Sequence, residues 1–167
     1  MRRMITIMAV LLAIAAKGSA KDNTNRIGVG AGGFYRPAAS ATLFWEHETA
    51  YHNAWEVFAT SSLKLDDLDD LGANYKTWGV GAAWKPSLYL ARNRCGSARI
   101  GVSLGAAPVD FLVGIHAGWQ HSYALRGGWQ FYWQAGVDLM LPCRDDLFRA
   151  GVGVGLKLPV RERLRYR

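Results

Sequence analysis

From Arg26 to Leu158 the chain alternates between apolar positions and small or polar ones. Near the C-terminus Phe148, Ala150, Val152, Val154, Leu156 and Leu158 take every second place, with Arg149, Gly151, Gly153, Gly155 and Lys157 between them. Ala98, Ile100, Val102 and Leu104 repeat the pattern against Arg99, Gly101, Ser103 and Gly105. Successive side chains of a strand point to opposite faces, so a period of two predicts strands with one apolar and one polar face. Eight segments carry it: 26–35, 41–51, 53–65, 75–85, 97–106, 111–123, 129–141 and 147–158. The stretches between them hold turn formers: Arg36-Pro37, Leu71-Gly72, Cys95-Gly96, Gly127-Gly128 and Arg144-Asp145-Asp146. No helical period competes. The prediction is all-β, an antiparallel up-and-down sheet whose eight strands close into a barrel.

A soluble barrel hides its apolar face, whereas a membrane barrel turns it outward. Three features favour the second. All seven Trp (45, 55, 78, 84, 119, 129, 133) fall on the apolar face, and an eight-stranded lumen has no room for seven indoles. The polar face carries most of the 19 Gly, at 28, 30, 32, 79, 81, 101, 105, 114, 118, 136, 151, 153 and 155. Glycine weakens a solvent-facing strand but relieves a crowded lumen. The rest of that face is balanced. Glu46, Glu48, Glu56 and Asp138 oppose Arg26, Lys64, Lys85, Arg99, Arg149 and Lys157, with Gln120, Gln130, Gln134 and His116 between. Buried charges must be paired. We therefore expect a transmembrane barrel with a charged, Gly-rich lumen, held by a structural network of Arg26, Glu46, Glu48, Glu56, Lys64, Arg99, Asp138, Arg149 and Lys157. The rival is a soluble periplasmic barrel that binds a hydrophobic ligand.

With the N-terminus on the periplasmic side, Tyr51 ends the second strand and Trp55 starts the third at that side. Trp84, Tyr123 and Trp129 fall at the same level, which makes an aromatic girdle. Tyr35, Phe111 and Trp78 mark the other rim more weakly. Such a barrel contacts outer-membrane lipid and lipopolysaccharide.

The ends carry a different message. Arg2 and Arg3, the apolar run 5–16, and Gly18-Ser19-Ala20 make the three parts of a secretory signal peptide, residues 1–20. Twelve apolar residues make a helix of about 18 Å, short of a roughly 30 Å bilayer core. The barrel domain is then 21–160, followed by a basic tail, 161–167. The formal charge of +7 comes mostly from these two ends, so no distributed basic face supports direct nucleic-acid binding. The tail would lie on the periplasmic side, within reach of anionic head groups or a periplasmic partner.

Candidate chemistry is sparse. The acidic run Asp66-Asp67-Leu68-Asp69-Asp70 lacks the spacing of a calcium loop. His121-Ser122 invites comparison with lipid A deacylases, eight-stranded outer-membrane barrels with a His-x-Ser-Asn motif. Here the two are adjacent, so they point to opposite faces, and no Asn follows. A lipid-modifying enzyme is the alternative this disfavours. His47, His52 and His116 form no metal spacing, no glycine pair reads as a phosphate loop, and no cofactor is implied. Cys95 and Cys143 fall at opposite ends of the threaded barrel. The apolar band alone is about 25 Å tall, and a disulfide needs Cα atoms within about 7 Å. No intrachain bond is expected.

As a whole, residues 26–158 resemble the small eight-stranded outer-membrane barrels of the OmpA/OmpX type. In the last strand Arg149, Gly151, Val154 and Leu156 resemble the C-terminal assembly signal of such barrels. Four segments are similar to TraO-like conjugal transfer proteins of conjugative transposons. They are Tyr75-Lys76-Thr77-Trp78-Gly79-Val80-Gly81, Gly114-Ile115-His116, His121-Ser122-Tyr123-Ala124-Leu125-Arg126 and the run from Phe148 to Pro159. That resemblance covers roughly 75–160. It implies a non-enzymatic envelope component of a DNA-transfer apparatus, with other cell-envelope transfer proteins as partners and no contact with DNA.

Overall fold

The computed structural model describes residues 24–35, 38–49, 51–64, 76–107, 111–141 and 148–160, with only the backbone of Lys64 and Lys76. The signal peptide, the acidic run 66–70, Cys143 and the basic tail lie outside the described residues. Among the described residues nine strands form: β1 (Thr24–Phe34), β2 (Ala38–Glu48), β3 (Ala54–Lys64), β4 (Lys76–Lys85), β5 (Ser87–Ala91), β6 (Arg94–Ala106), β7 (Phe111–Ala124), β8 (Gln130–Leu141) and β9 (Phe148–Pro159). Sequence neighbours pair antiparallel, except β4 and β5. Two further ladders, β1–β9 and β4–β6, complete the ring. β4 and β5 together make one stave, so the barrel has eight and is closed. Closure satisfies the backbone of every stave without leaving the row of bare N–H and C=O groups that an open sheet exposes.

The alternation sorts faces as expected. Val152 is 68% exposed and Val102 59%, whereas Glu46 is 2% exposed and Lys85 1%. Every described tryptophan points outward, against the same side of the pleat as these valines. Some rings go the other way, Phe34 at the rim of a cavity and three deeper inside. Phe44, Phe58 and Tyr132 share a parity with Glu46, Glu56 and Gln134 and form a buried cluster with Ala83 inside the lumen. Glycines make room for them. A Cβ at Gly28 would run into the Phe44 ring, one at Gly30 or Gly155 into Tyr132, and one at Gly81 into Phe58.

The structure corrects one region. The alternation ends the fourth strand at Lys85 and treats Cys95-Gly96 as a turn. The chain instead resumes as β5 after Pro86, and the hairpin tip falls at Arg92-Asn93. Pro86 has no N–H to give a ladder, so it reads locally as a stop. Its carbonyl nevertheless accepts from Ala98 N at 3.1 Å, and the pairing continues through a register shift between Ser87 and Tyr89. Cys95 and Gly96 are therefore inside β6. Gly127 and Gly128, with φ of 77° and 83°, do form the expected turn between β7 and β8, in a conformation that favours glycine.

Candidate functional site

The polar residues of the lumen fall into two groups, one in each half of the barrel. The half nearer the chain ends is filled. Glu46 on β2 accepts from Lys85 Nζ at 2.6 Å, and Lys157 Nζ donates to both of its oxygens at 2.8 Å. Arg26 lies 3.9 Å from Glu46 and is paired with Glu48. Lys85 also pairs with Glu56, which accepts from Arg99 Nε at 3.0 Å and Nη2 at 2.8 Å. The rings pack against these cations. Arg99 lies 4.6 Å from the Phe58 centroid, Lys85 4.9 Å from Phe44 and Lys157 5.7 Å from Tyr132. A desolvated cation over a ring face gains about 2 kcal/mol. At the adjoining turn His52, with φ 59°, holds Glu48 through Nδ1 at 2.7 Å.

The half nearer the β1–β2, β3–β4, β6–β7 and β8–β9 connections is different. His116 Nδ1 lies 2.7 Å from Asp138 Oδ1, and its Nε2 lies 2.7 Å from Ser103 Oγ. Arg149 donates to Ser62 Oγ at 3.3 Å and sits 5.9 Å from the Phe34 ring. Ser62 and Thr77 are hydrogen-bonded, as are Thr42 and Thr60 at 3.3 Å. All of these except Ser103 border a cavity of about 90 Å³, whose wall also includes Gly30, Gly32, Gly136, Gly151 and Gly153.

Of the predicted network, Arg26, Glu46, Glu48, Glu56, Arg99 and Lys157 come together. Asp138 and Arg149 do not join them, because they face the lumen in its other half. The side chain of Lys64 lies outside the described residues. Lys85 was counted on the polar face but left out of the network, and it proves central, bridging Glu46 and Glu56. Its place beside Pro86, at the end of the alternation, hid it. Gln120, 1% exposed, has neither side-chain polar atom satisfied by protein.

The girdle residues all lie toward the chain-terminus end. Trp55 and Trp84 are cross-strand partners with ring centroids 6.4 Å apart, and Tyr123 faces Phe131 at 6.3 Å. Trp129 sits in the β7–β8 connection, and Tyr51 in the β2–β3 turn rather than at the end of a strand. His121 and Ser122 point apart, as their spacing requires. His121 stacks outward between Tyr89 and Trp133, with ring centroids 6.1 and 5.9 Å away, while Ser122 is buried. Among the described residues no three His, Cys, Asp or Glu gather as a metal site.

No protein-family model and no curated protein matches this chain by sequence. Solved structures do match in fold. Neisserial surface protein A is similar with a TM-score of 0.57 at 10% identity, over 81% of this chain and 94% of that one. A barrel from the de novo design of transmembrane β-barrels gives 0.52 at 10% identity, over 86% of this chain and 100% of its own. The solution structure of the designed barrel TMB2.3 gives 0.51 at 12% identity, over the same shares. Designed barrels and a natural surface protein alike share this fold. The closed eight-stranded antiparallel barrel is thus a fold shared with these transmembrane barrels, and the likeness concerns architecture alone.

Proposed function

We propose that this chain is a non-enzymatic integral barrel of a Gram-negative outer membrane, exported by the signal peptide 1–20 and anchored in lipid along its full circumference. One observation carries the reading: charge is packed inside a closed barrel while Ile27, Val29, Leu43, Ile100, Val102 and Val154 are exposed outside. In water so wide an apolar surface would drive aggregation; in a bilayer it matches the solvent. Extraction tests it. The protein should stay in the membrane pellet through carbonate and high salt and come out only with detergent. Release by carbonate would instead support the soluble periplasmic barrel.

The finer role we propose is an envelope component of a conjugative DNA-transfer apparatus, working with other envelope transfer proteins and touching no DNA. Its support is the resemblance of 75–160 to TraO-like proteins. Deletion of the gene from a donor should lower transfer to recipients while leaving donor growth intact. Unchanged transfer frequency would remove this role and leave the barrel.

A further inference from the structure

The geometry points to a nucleophile inside the lumen: we propose that Ser103 is an activated serine that accepts acyl groups from small esters. His116 is its base, and Asp138 orients that base. This keeps the outer-membrane reading proposed above and departs from its non-enzymatic part.

The bonds run in one direction. A carboxylate only accepts, so the 2.7 Å contact with Asp138 Oδ1 places the proton of His116 on Nδ1. Nε2 is left as an acceptor, 2.7 Å from Ser103 Oγ, which donates to it. This is the relation of nucleophile, base and orienting acid that recurs on unrelated folds. Three consecutive staves supply it, β6, β7 and β8. His116 lies directly opposite Asp138 in the ladder, and the residues opposite Ser103 and His116 on the β6–β7 ladder are Gly114 and Gly101. A Cβ at Gly114 would intrude on both Ser103 Oγ and His116 Nε2, so glycine there keeps the diagonal Ser–His contact open. The edge of His116 meets the Phe58 ring at 5.3 Å and 86°, which fixes its orientation.

The site has a space beside it. His116 and Asp138 border the cavity of about 90 Å³, with Arg99 and Gln134 on the same wall, while Ser103 is buried off that wall and bonded to His116 Nε2. At roughly 30 Å³ per water this admits a few waters or a short acyl group, not a lipid chain. In the reaction, Ser103 Oγ bonds to the ester carbonyl carbon as its proton passes to Nε2. The bond from that carbon to the leaving alcohol's oxygen then breaks, and the alcohol takes the proton from Nε2. Water follows the same path, bonding to the acyl carbon and giving its proton to Nε2. Release of Oγ, which takes that proton back, frees a carboxylic acid.

A small alkyl fluorophosphonate tests this on the whole barrel in detergent, read by intact mass and peptide mapping. The reagent bonds phosphorus to Oγ and expels fluoride. Folding of each variant is followed separately by its heat-dependent migration in gels. The expected result is one adduct, on Ser103, formed at least about tenfold faster in folded than in urea-unfolded protein. It should be absent in S103A and slowed by roughly a hundredfold in H116Q, with D138N slowed as well. The proposal is overturned by no adduct on the folded wild type, by equal rates folded and unfolded, by an adduct elsewhere, or by a rate indifferent to both H116Q and D138N. Any of these would leave a purely structural chain of bonds, and the outer-membrane reading would still stand or fall by extraction alone.

Discussion

Toward the chain termini the lumen holds Phe44, Phe58 and Tyr132 locked among Arg26, Glu46, Glu56, Lys85, Arg99 and Lys157; toward the longer connections it holds glycine, hydroxyls and a cavity. The bonds differ in reach as well as in density. Glu46 joins Lys157 across 111 residues and Lys85 across 39. Ser103 and His116 are 13 apart, and His116 and Asp138 are 22 apart on adjacent strands. The Glu46–Lys157 bond can form only when β9 has met β1, so it ties the last stave to the second. The Ser103–His116–Asp138 chain can form within a three-strand meander before closure, unlike the Arg149–Ser62 bond beside it. Long-range contacts come at the greater loop-closure cost and form late. One half of the lumen therefore holds a clasp, and the other holds a local chain of bonds beside open space.

Breaking the clasp should have the largest effect. In Glu46→Gln, Lys157 and Lys85 lose their shared carboxylate while staying buried. Removing one partner of a buried ion pair costs about 3–5 kcal/mol. The midpoint of urea unfolding in detergent, followed by tryptophan fluorescence, should fall accordingly. A drop worth less than about 1 kcal/mol would mean that the clasp contributes specificity rather than stability.

Outside the barrel the test is different in kind. Val152→Arg puts a charge on the lipid side of β9, at a cost of roughly 2–4 kcal/mol near mid-bilayer. Assembly into lipid vesicles should fail or slow, while the same variant in detergent should be nearly normal. Equal behaviour in both media would mean that Val152 does not face lipid.

Two glycines of one strand sharpen the contrast between the halves. Gly155 lies against Tyr132 and the backbone of Val29, and a Cβ there meets both. Gly153 borders the cavity, where a Cβ would sit 3.2 Å from Ala31 O and 3.4 Å from Gln134 Nε2. Gly155→Ser should cost about 1–3 kcal/mol by overpacking, and Gly153→Ser less than about 1 kcal/mol. The readout is the same urea midpoint. Reversal of that order would show the packed and open halves to be exchanged.

The barrel was legible in the sequence because its physics is periodic. Two solvents, lipid and lumen, impose a period of two, and short turns keep the staves in order. Pro86 defeated that reading locally, since the missing N–H looks like a terminus when register continues past it. The charges of the lumen were legible as an inventory, but their partition was not. Which carboxylate meets which cation depends on the stagger between staves, and alternation carries parity without height. Asp138 and Glu46 have the same parity and lie in different halves. The Ser103–His116–Asp138 chain was hidden for the same reason. Its members are scattered over three strands, and only the ladders put Ser103 diagonal to His116. The adjacent pair His121-Ser122 drew attention instead, although adjacency in a strand separates side chains.

The smallest expected effect concerns Cys95, which the structure moves out of a turn and into β6 without changing its end of the barrel. It is a free thiol, with Sγ 3.5 Å from Ser87 Oγ. Cys143 lies outside the described residues, two positions after Leu141, where β8 ends at the opposite end of the barrel from Cys95. An exported chain with two cysteines ordinarily suggests a disulfide, because the compartment is oxidising. The height of an apolar band of about 25 Å forbids one within a single closed barrel. Peptide mapping of non-reduced monomer should therefore find no Cys95–Cys143 cross-link. Cys95→Ser should shift the urea midpoint by less than about 0.5 kcal/mol, as expected of a half-exposed site that holds no structural bond. A Cys95–Cys143 peptide recovered from monomer would require both residues at one end. That would put the β6–β7–β8 meander, and the Ser103–His116–Asp138 chain it carries, in the wrong register.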